Sequence, residues 1–427
     1  MSILNAMYAG VSGLDAEGNA LGVIGNNVAN SNTVGFKQSR AVFENVMGSA
    51  IGDPNAIGSG VRMDRAQQLF AQGSMLNTGQ PTDLAISGDG FFVVNGNVDG
   101  TSGNFFTRAG QTSLDKNGTL VNPDGLAFQG YKTLPSGQLS SQLGPITLQT
   151  AALSPKPTSA MHVTANLNAN ATPPAAAWDP QNPATTSNFS TTLDVYDSLG
   201  NSHQVGVYFV NTGSNTWDYH VVANGGEVQG GTPGQNDEFA SGQLTFDASG
   251  ALQSVTPNGG QVTFNGAQQQ TIALDIGTSI ASGGTGLDGV TQFGSPSDVS
   301  SQSQDGYASG DLSGVKIGQD GTVSGVYTNG QTVAVGQLAI AKFASNDGLA
   351  QAGNNLWAAS QQSGDAAFGA AGAGGRGALV TGSLEQSNVD IAAQFVDLIA
   401  HQRAFQASSK TITTADQMLQ DLMQIKQ

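Results

Sequence analysis

The sequence predicts a multi-domain chain. Its mainly β outer domains, built of antiparallel sheets or barrels, are nested between N- and C-terminal α-helices that pair as a coiled coil. Three observations point this way. Both ends of the 427-residue chain repeat apolar residues every seven positions, the period of a helical seam. Its interior alternates apolar and polar residues in short runs separated by turn signals, with no βαβ alternation. Pro- and Gly-rich stretches divide that interior so that an inner part of the chain is inserted in an outer one.

At the N-terminus, Met7, Leu14, Leu21 and Val28 keep the seven-residue spacing, Leu4 and Val11 fill the second seam position, and Ile24 lies beside it. Gly10, Gly13, Gly18, Gly22 and Gly25 interrupt the pattern. Each costs about 1 kcal/mol against Ala in a helix, so the isolated helix is expected to be marginal. At the C-terminus, Ile391, Leu398, Phe405, Ile412 and Leu419 keep the same period, and Leu384, Phe395, Met418, Leu422 and Ile425 widen the stripe. Ser387 or Asn388 is expected to cap this helix, with Asp390 in its first turn, where the helix dipole favours an acid. From Asn388 to about Lys426 there is no Gly or Pro, which allows a rod of roughly 55 Å. Periodicity leaves two readings open: an antiparallel pair complete in itself, or a pair whose remaining apolar surface is covered by neighbouring copies.

Between the ends, "LAISGDGFFVV" (Leu84–Val94), "TLDVYDSLGNSHQVGVYFV" (Thr192–Val210), "WDYHVV" (Trp217–Val222) and "VAVGQLAIAKF" (Val333–Phe343) alternate as strands do. "DKNG" at Asp115, "NPDG" at Asn122, "SLGN" at Ser198 and "QDG" at Gln319 mark turns. Pro-rich stretches at residues 154–160 and 171–187 and Gly-rich ones at 282–289 and 369–377 mark boundaries. A middle β domain over residues 156–299 is therefore expected inside an outer one.

Composition excludes several function classes. Acids outnumber bases 31 to 14, for a net charge of -17, the wrong sign for a nucleic-acid partner. Charged residues make up only 11%, about half the usual share; a surface that lies against copies of itself tolerates that. With no Cys, disulfides, thiol catalysis and Cys-ligated zinc are ruled out. The first residues lack a basic n-region and an unbroken apolar core, so no Sec-type signal peptide is read there. No run approaches the ~18 apolar residues of a membrane span, and no membrane insertion is expected.

Motifs for chemistry are weak. G-x-G-x-x-G occurs at Gly284-Gly286-Gly289 and Gly372-Gly374-Gly377, but neither opens a helix after a strand, so the phosphate cradle is missing. "DKNGTL" from Asp115 and "NVDGTSGNF" from Asn97 share residue types with calcium loops but lack the full ladder of oxygen ligands, and hairpin turns explain them better. His162, His203, His220 and His401 show no metal-ligand spacing, and His203 and His220 read as polar-face residues of strands. No catalytic site, cofactor or metal is expected.

The segment "NNVANSNTVGFK", residues 26–37, resembles the signature shared by bacterial flagellar rod and hook proteins. Asn26, Asn27, Asn30, Thr33, Gly35, Phe36 and Lys37 match it position by position. "GSLEQSNVDIAAQFVDLIAHQRAFQASSKTITTADQMLQDL" (Gly382–Leu422) resembles the matching C-terminal end, and "SGDGFFVV" is also typical. Within that family, the length and the middle of the chain look like the hook proteins; the shorter rod proteins lack a large inserted domain. Physically, asparagines suit the end of the first helix, where carbonyls lack partners, because they bond them without adding a charge. Gly35 permits a turn, and Phe36 is a candidate anchor.

The resemblance implies four regions: a helical core from residues 1–30 with 382–427, a connecting segment from 31–75 with 371–381, an inner β domain from 76–155 with 300–370, and the inserted outer β domain at 156–299. It implies a structural subunit that assembles with itself into the flexible, curved flagellar hook, a universal joint carrying torque from motor rod to filament in bacterial motility. Leu4, Met7, Val11, Leu14, Leu21, Val28, Ile391, Phe395, Leu398, Phe405, Ile412 and Leu419 would make the assembly contacts. Implied partners are the distal rod and hook–filament junction proteins, the hook cap and the flagellar type III export apparatus. The implied location is the extracellular flagellum, attached to the basal body and reached without a cleaved Sec signal. A distal rod protein and a secreted β-rich adhesin are the alternative readings.

Overall fold

A computed structural model describes residues 3–47, 58–134, 136–148 and 151–425. The chain divides into two compact units.

The first unit comprises residues 1–150, 313–326 and 332–427. It contains the N-terminal helix Ile3–Ala29, the C-terminal helix Ile391–Ile425, and β structure between them. The helices run antiparallel in contact: Gly10 faces Ile412, Gly13 faces Ser408, and Asn27 bonds Gln394. The five glycines do not break the first helix, and two of them set its approach to the second. A Cβ on Gly10 would lie 2.9 Å from Ile412 Cγ1, and one on Gly13 would lie 3.0 Å from Ser408 Oγ. The second helix is capped by Asp390, not by Ser387 or Asn388. The Asp390 carboxylate accepts from the backbone N–H groups of Ala392 (2.9 Å) and Ala393 (3.2 Å), which satisfies donors that have no partner within the helix.

A two-stranded ribbon, Ser39–Asn45 against Val61–Gln68, lies beside the first helix, and Ser12 Oγ accepts from Val61 N at 3.2 Å. Beyond it, a twelve-stranded sheet is built around Phe91–Val98, Thr101–Thr107, Ala127–Thr133 and Thr332–Lys342. Its core gathers Phe91, Val93, Phe106, Phe343 and Trp357. Edge-to-face rings hold this core, with Phe106 and Phe343 at 4.7 Å and Phe91 and Trp357 at 5.6 Å between centroids.

The second unit comprises residues 151–312 and 327–331. Five antiparallel strands follow in chain order: Phe189–Tyr196, Ser202–Gly213, Thr216–Asn224, Asn236–Phe246 and Leu252–Gly259. A smaller sheet is centred on Ala160–Asn168. Period-2 alternation makes the core: Met161, Val163, Ala165 and Leu167 from one sheet join Val205, Val207, Phe209, Trp217, Tyr219 and Val221 from the other.

Three of the turn signals, and a further turn at Asp247, close hairpins by one device. In "DKNGT", "NPDGL", "DSLGN" and "DASGA", the first residue's carbonyl accepts from the Gly N–H three positions on. Its side-chain oxygen also accepts from the N–H four positions on, as with Asp115 and Thr119 (2.7 Å) or Asp197 and Asn201 (2.9 Å). The Asp115 carboxylate is thus occupied by backbone donors, as a turn residue's should be. The other calcium-like stretch is a two-residue hairpin turn with Asp99 at φ 48 and Gly100 at φ 83.

Candidate assembly site and its buried joint

The motif at residues 26–37 divides its labour. Asn30 donates to the Asn26 carbonyl from both its backbone N–H (3.1 Å) and its side-chain Nδ2 (3.0 Å), closing the helix end. Asn27 is buried; it donates to Ser39 O (2.6 Å) and Gln394 Oε1 (3.0 Å) and accepts from Ser39 N (2.9 Å). One side chain thereby fixes the first helix to both the ribbon and the second helix. Thr33 Oγ1 donates to Asn30 Oδ1 at 3.0 Å, while Asn26 and Asn32 are exposed. Gly35 adopts φ +71, and a Cβ there would lie 2.6 Å from Ala109 N. Phe36 is half-buried.

Lys37 ends the motif inside the protein. Its Nζ donates to Glu385 Oε1 (2.6 Å) and Ala71 O (2.8 Å). Glu385 also accepts from Gly73 N (2.9 Å) and, through Oε2, from Arg108 Nη1 (3.3 Å). Arg108 donates further to Ile86 O (3.3 Å) and Gly88 O (2.8 Å) and lies over the Phe91 ring. Burial pulls Lys37 and Arg108 below their ordinary pKa values, and the Glu385 carboxylate opposes that pull. Sequence reasoning singled out neither Glu385 nor Arg108. Nearby, Asn388 donates to Leu69 O and Ala71 O and accepts from Gln38 N, so it joins segments instead of capping a helix.

The apolar positions expected to make assembly contacts fall into two classes. Met7, Leu14, Leu21, Val28, Leu398, Phe405, Ile412 and Leu419 are half-buried. Leu4, Val11, Ile391 and Phe395 are exposed, joined by Tyr8, Val396, Ile399, Met418 and Met423. The fully buried residues of the first helix are Ala16, Ala20, Ile24 and Asn27, with Gly10. The intramolecular contact therefore sets small residues of the first helix against larger ones of the second, and only part of the apolar stripe faces outward. The side chains of Leu422 and Ile425 lie outside the described set.

The histidines all have partners within their own unit. His203 stacks on Phe264 at 3.8 Å between Asp197 and Glu227, and His220 stacks on Trp178 at 4.3 Å and pairs with Glu238. His203 thus packs on the core side of its strand, whereas His220 lies on the face opposite the core residues Tyr219 and Val221. His162 pairs with Asp275, and His401 bridges to Glu17 of the first helix at 2.5 Å. Among the described residues no group of three or more His, Cys, Asp or Glu side chains is placed to hold a metal ion, and no helix is long and apolar enough to cross a membrane.

Four protein-family models match the chain in order. They are the flagella basal body rod protein (residues 7–37), the flagellar hook protein FlgE/F/G D1 domain (85–156), the flagellar basal body protein FlaE D2 domain (166–307) and the flagellar basal body rod FlgEFG protein C-terminal region (380–425). A crystal structure of Helicobacter pylori flagellar hook protein FlgE2 shares the fold, with a TM-score of 0.52 at 18% identity over 73% of this chain and 100% of that one. The chain is 35% identical to flagellar hook protein FlgE of Escherichia coli K12 (99% of this chain, 100% of the relative) and 34% identical to that of Treponema pallidum (99% and 100%). It is 37% identical to flagellar hook protein FlgE of Salmonella typhimurium over 97% of its own length and 98% of the relative's. With both termini, both β regions and their order matched, the chain belongs to the flagellar hook protein family, a structural family of the bacterial flagellum.

Proposed function

We propose that this chain polymerises with itself through its terminal helices, which pair as a coiled coil in the inner layer of a tube. Residues 1–30 with 382–427 form that layer, 31–75 with 371–381 connect it outward, and the β domains of 76–155 with 300–370 and of 156–299 project from it. The tube is the flexible hook, a universal joint that passes torque from motor rod to filament. Its end partners are the distal rod and hook–filament junction proteins and the hook cap, and the subunit leaves the cell through the flagellar export apparatus without a cleaved Sec signal. The motif residues Asn26, Asn27, Asn30, Thr33, Gly35, Phe36 and Lys37 orient the helices for this role.

One observation carries the reading: the helix pair exposes a series of large apolar side chains, Leu4, Tyr8, Val11, Ile391, Phe395, Val396 and Ile399, which a soluble chain would not expose together unless they are covered in use. The tryptophans of the second unit do not supply the exposed aromatic surface that the adhesin alternative would want. Trp217 is fully buried, and Trp178 is half-buried, bonding Glu238 and stacking on His220. Electron microscopy of the purified chain under assembly conditions tests the reading. Tubes are expected from the unmodified chain and none from Phe395→Asp, whose β units stay folded. Tubes from the Asp variant would place the assembly contact elsewhere.

A further inference from the structure

A Gly-rich connection in the second unit, residues 225–235, is tied to the sheet by one charged side chain. It joins Thr216–Asn224 to Asn236–Phe246 and holds five glycines, so its backbone is easily remodelled. Its backbone pairs with a neighbouring segment: Gln229 N donates to Thr263 O and Asn265 N to Glu227 O, both at 2.8 Å. Glu227 is the only charged residue in the connection, and its Oε2 lies 2.7 Å from His203 Nδ1. The other ring nitrogen, Nε2, lies 3.3 Å from Oδ2 of the buried Asp197. The imidazole face is stacked on the Phe264 ring, 3.8 Å between centroids and 3° from parallel.

We propose that His203 is a pH-sensitive latch on the connection at residues 225–235. A carboxylate accepts hydrogen bonds and does not donate them. With a carboxylate oxygen at each ring nitrogen, both contacts are hydrogen bonds only while both nitrogens carry protons. Burial pushes the Asp197 carboxyl up, but hydrogen bonds from Asn201, His203 and Leu199 outweigh it and hold Asp197 below its usual value, so Nε2 faces an ionised group. The Phe264 ring face also favours a cation. On the paired strand, Val195 lies opposite His203; Asp194 and Tyr196 flank Val195 and therefore point to the other face, Asp194 beside Gln204. The segment at residues 261–267 that carries Phe264 holds no charged residue. Charged, His203 bonds both acids; after losing one proton it can donate to only one of them. Asp197 is buried and keeps donors from Leu199 N (2.8 Å), Asn201 N (2.9 Å) and Asn201 Nδ2 (3.0 Å). The Glu227 side chain is 42% exposed and can turn to water, so it is the partner released. A proton held in the latched form and given up in the open one favours the latch on the acid side, and that advantage is lost as pH rises. The change falls across about pH 5–8, where imidazoles change charge.

Amide exchange on the full-length monomer at about pH 5.5 and about pH 8, the two sides of the imidazole range, tests the latch once intrinsic rates are divided out. Protection of the Gln229 and Asn265 N–H groups is expected to be about three- to tenfold greater at the lower pH, the scale of one charge-assisted hydrogen bond at a partly exposed site. Protection across the Val205–Phe209 core should not change. In Glu227→Gln the side-chain amide can accept from Nδ1 or donate to it, so the difference between the two pH values should vanish. The Cε1 proton resonance of His203 should move over the same interval in the unmodified chain. Equal protection of Gln229 and Asn265 at both pH values overturns the latch, as does a His203 resonance that stays fixed. A merely structural Glu227 would lower protection in Glu227→Gln by the same factor at both pH values and leave the pH difference in place, which also overturns it.

Discussion

Lys37 and Glu385 lie 348 positions apart in the chain, yet their charged ends meet at 2.6 Å with neither side chain exposed. Arg108 shares the same carboxylate. One acid thus joins the end of the N-terminal motif, the β body and the segment leading into the C-terminal helix. Removing one member of a buried ion pair costs about 3–5 kcal/mol, because the partner is left charged and unpaired.

Glu385→Ala is therefore expected to destabilise the first unit by about 3–5 kcal/mol. Lys37→Met should cost less, since Glu385 keeps its bonds from Arg108 and Gly73. Urea unfolding of the monomer, followed by the fluorescence of Trp357 in that unit's core, measures both. The reverse order would show that Lys37, not Glu385, is the hub.

Gly35 meets two constraints at once, a left-handed φ of +71 and the Ala109 backbone 2.6 Å from where a Cβ would sit. Gly125 has the same kind of φ, +79, with open space around it. Gly125→Ala is expected to cost about 1 kcal/mol from backbone strain alone. Gly35→Ala should cost more, because backbone must move to admit the methyl. Equal losses in denaturant midpoint would mean that the turn at Gly35 shifts freely.

Much of the fold was legible because its signals are local. The Asp-x-x-Gly turns, the period-2 strands and the uninterrupted C-terminal helix each depend on residues a few positions apart. The buried helix face was harder to read. Periodicity weighs large apolar side chains, whereas the buried face of the first helix is mostly small: Ala16 and Ala20 are buried, and Gly10 and Gly13 admit Ile412 and Ser408 of the second helix. Glu385 gave no signal at all. A lone acid in "GSLEQS" reads as solvated, and only the tertiary fold brings Lys37 and Arg108 to it.

The second unit carries an acid-sensitive clasp. Burial pushes the Asp305 carboxyl up, but hydrogen bonds from Ser159 Oγ, the Ala160 and Ser159 backbone N–H groups and Lys156 Nζ outweigh it and hold Asp305 well below the usual carboxylate range. A carboxylate depressed in the folded state stabilises it above the unfolded pKa of about 3.9, and that contribution is lost as pH falls. Stability of this unit should therefore decline below about pH 4. Asp305→Asn should be less stable at pH 7 and show a shallower acid limb. An unchanged limb in amide-exchange profiles of the Val205–Phe209 core would assign the acid sensitivity to another carboxylate.

The glycines of the first helix make opposite predictions according to what they face. At Gly22 and Gly25 a Cβ would meet nothing within 4 Å, while Gly10 is pressed against Ile412. An open helical Gly costs about 1 kcal/mol against Ala with no packing to offset it. Gly22→Ala should accordingly raise the stability of the free chain's first helix by up to about 1 kcal/mol, seen as slower amide exchange across Leu14–Ala29. Gly10→Ala should speed exchange in both helices, because the added methyl forces Ile412 aside and loosens the pair. If Gly22→Ala leaves exchange unchanged, the helix is held entirely by its contacts and local propensity contributes nothing. If it stabilises the free helix and yet weakens tube formation, the bare glycine face is covered by a neighbour in the assembly, and the cost of glycine in the free subunit is offset there by close approach.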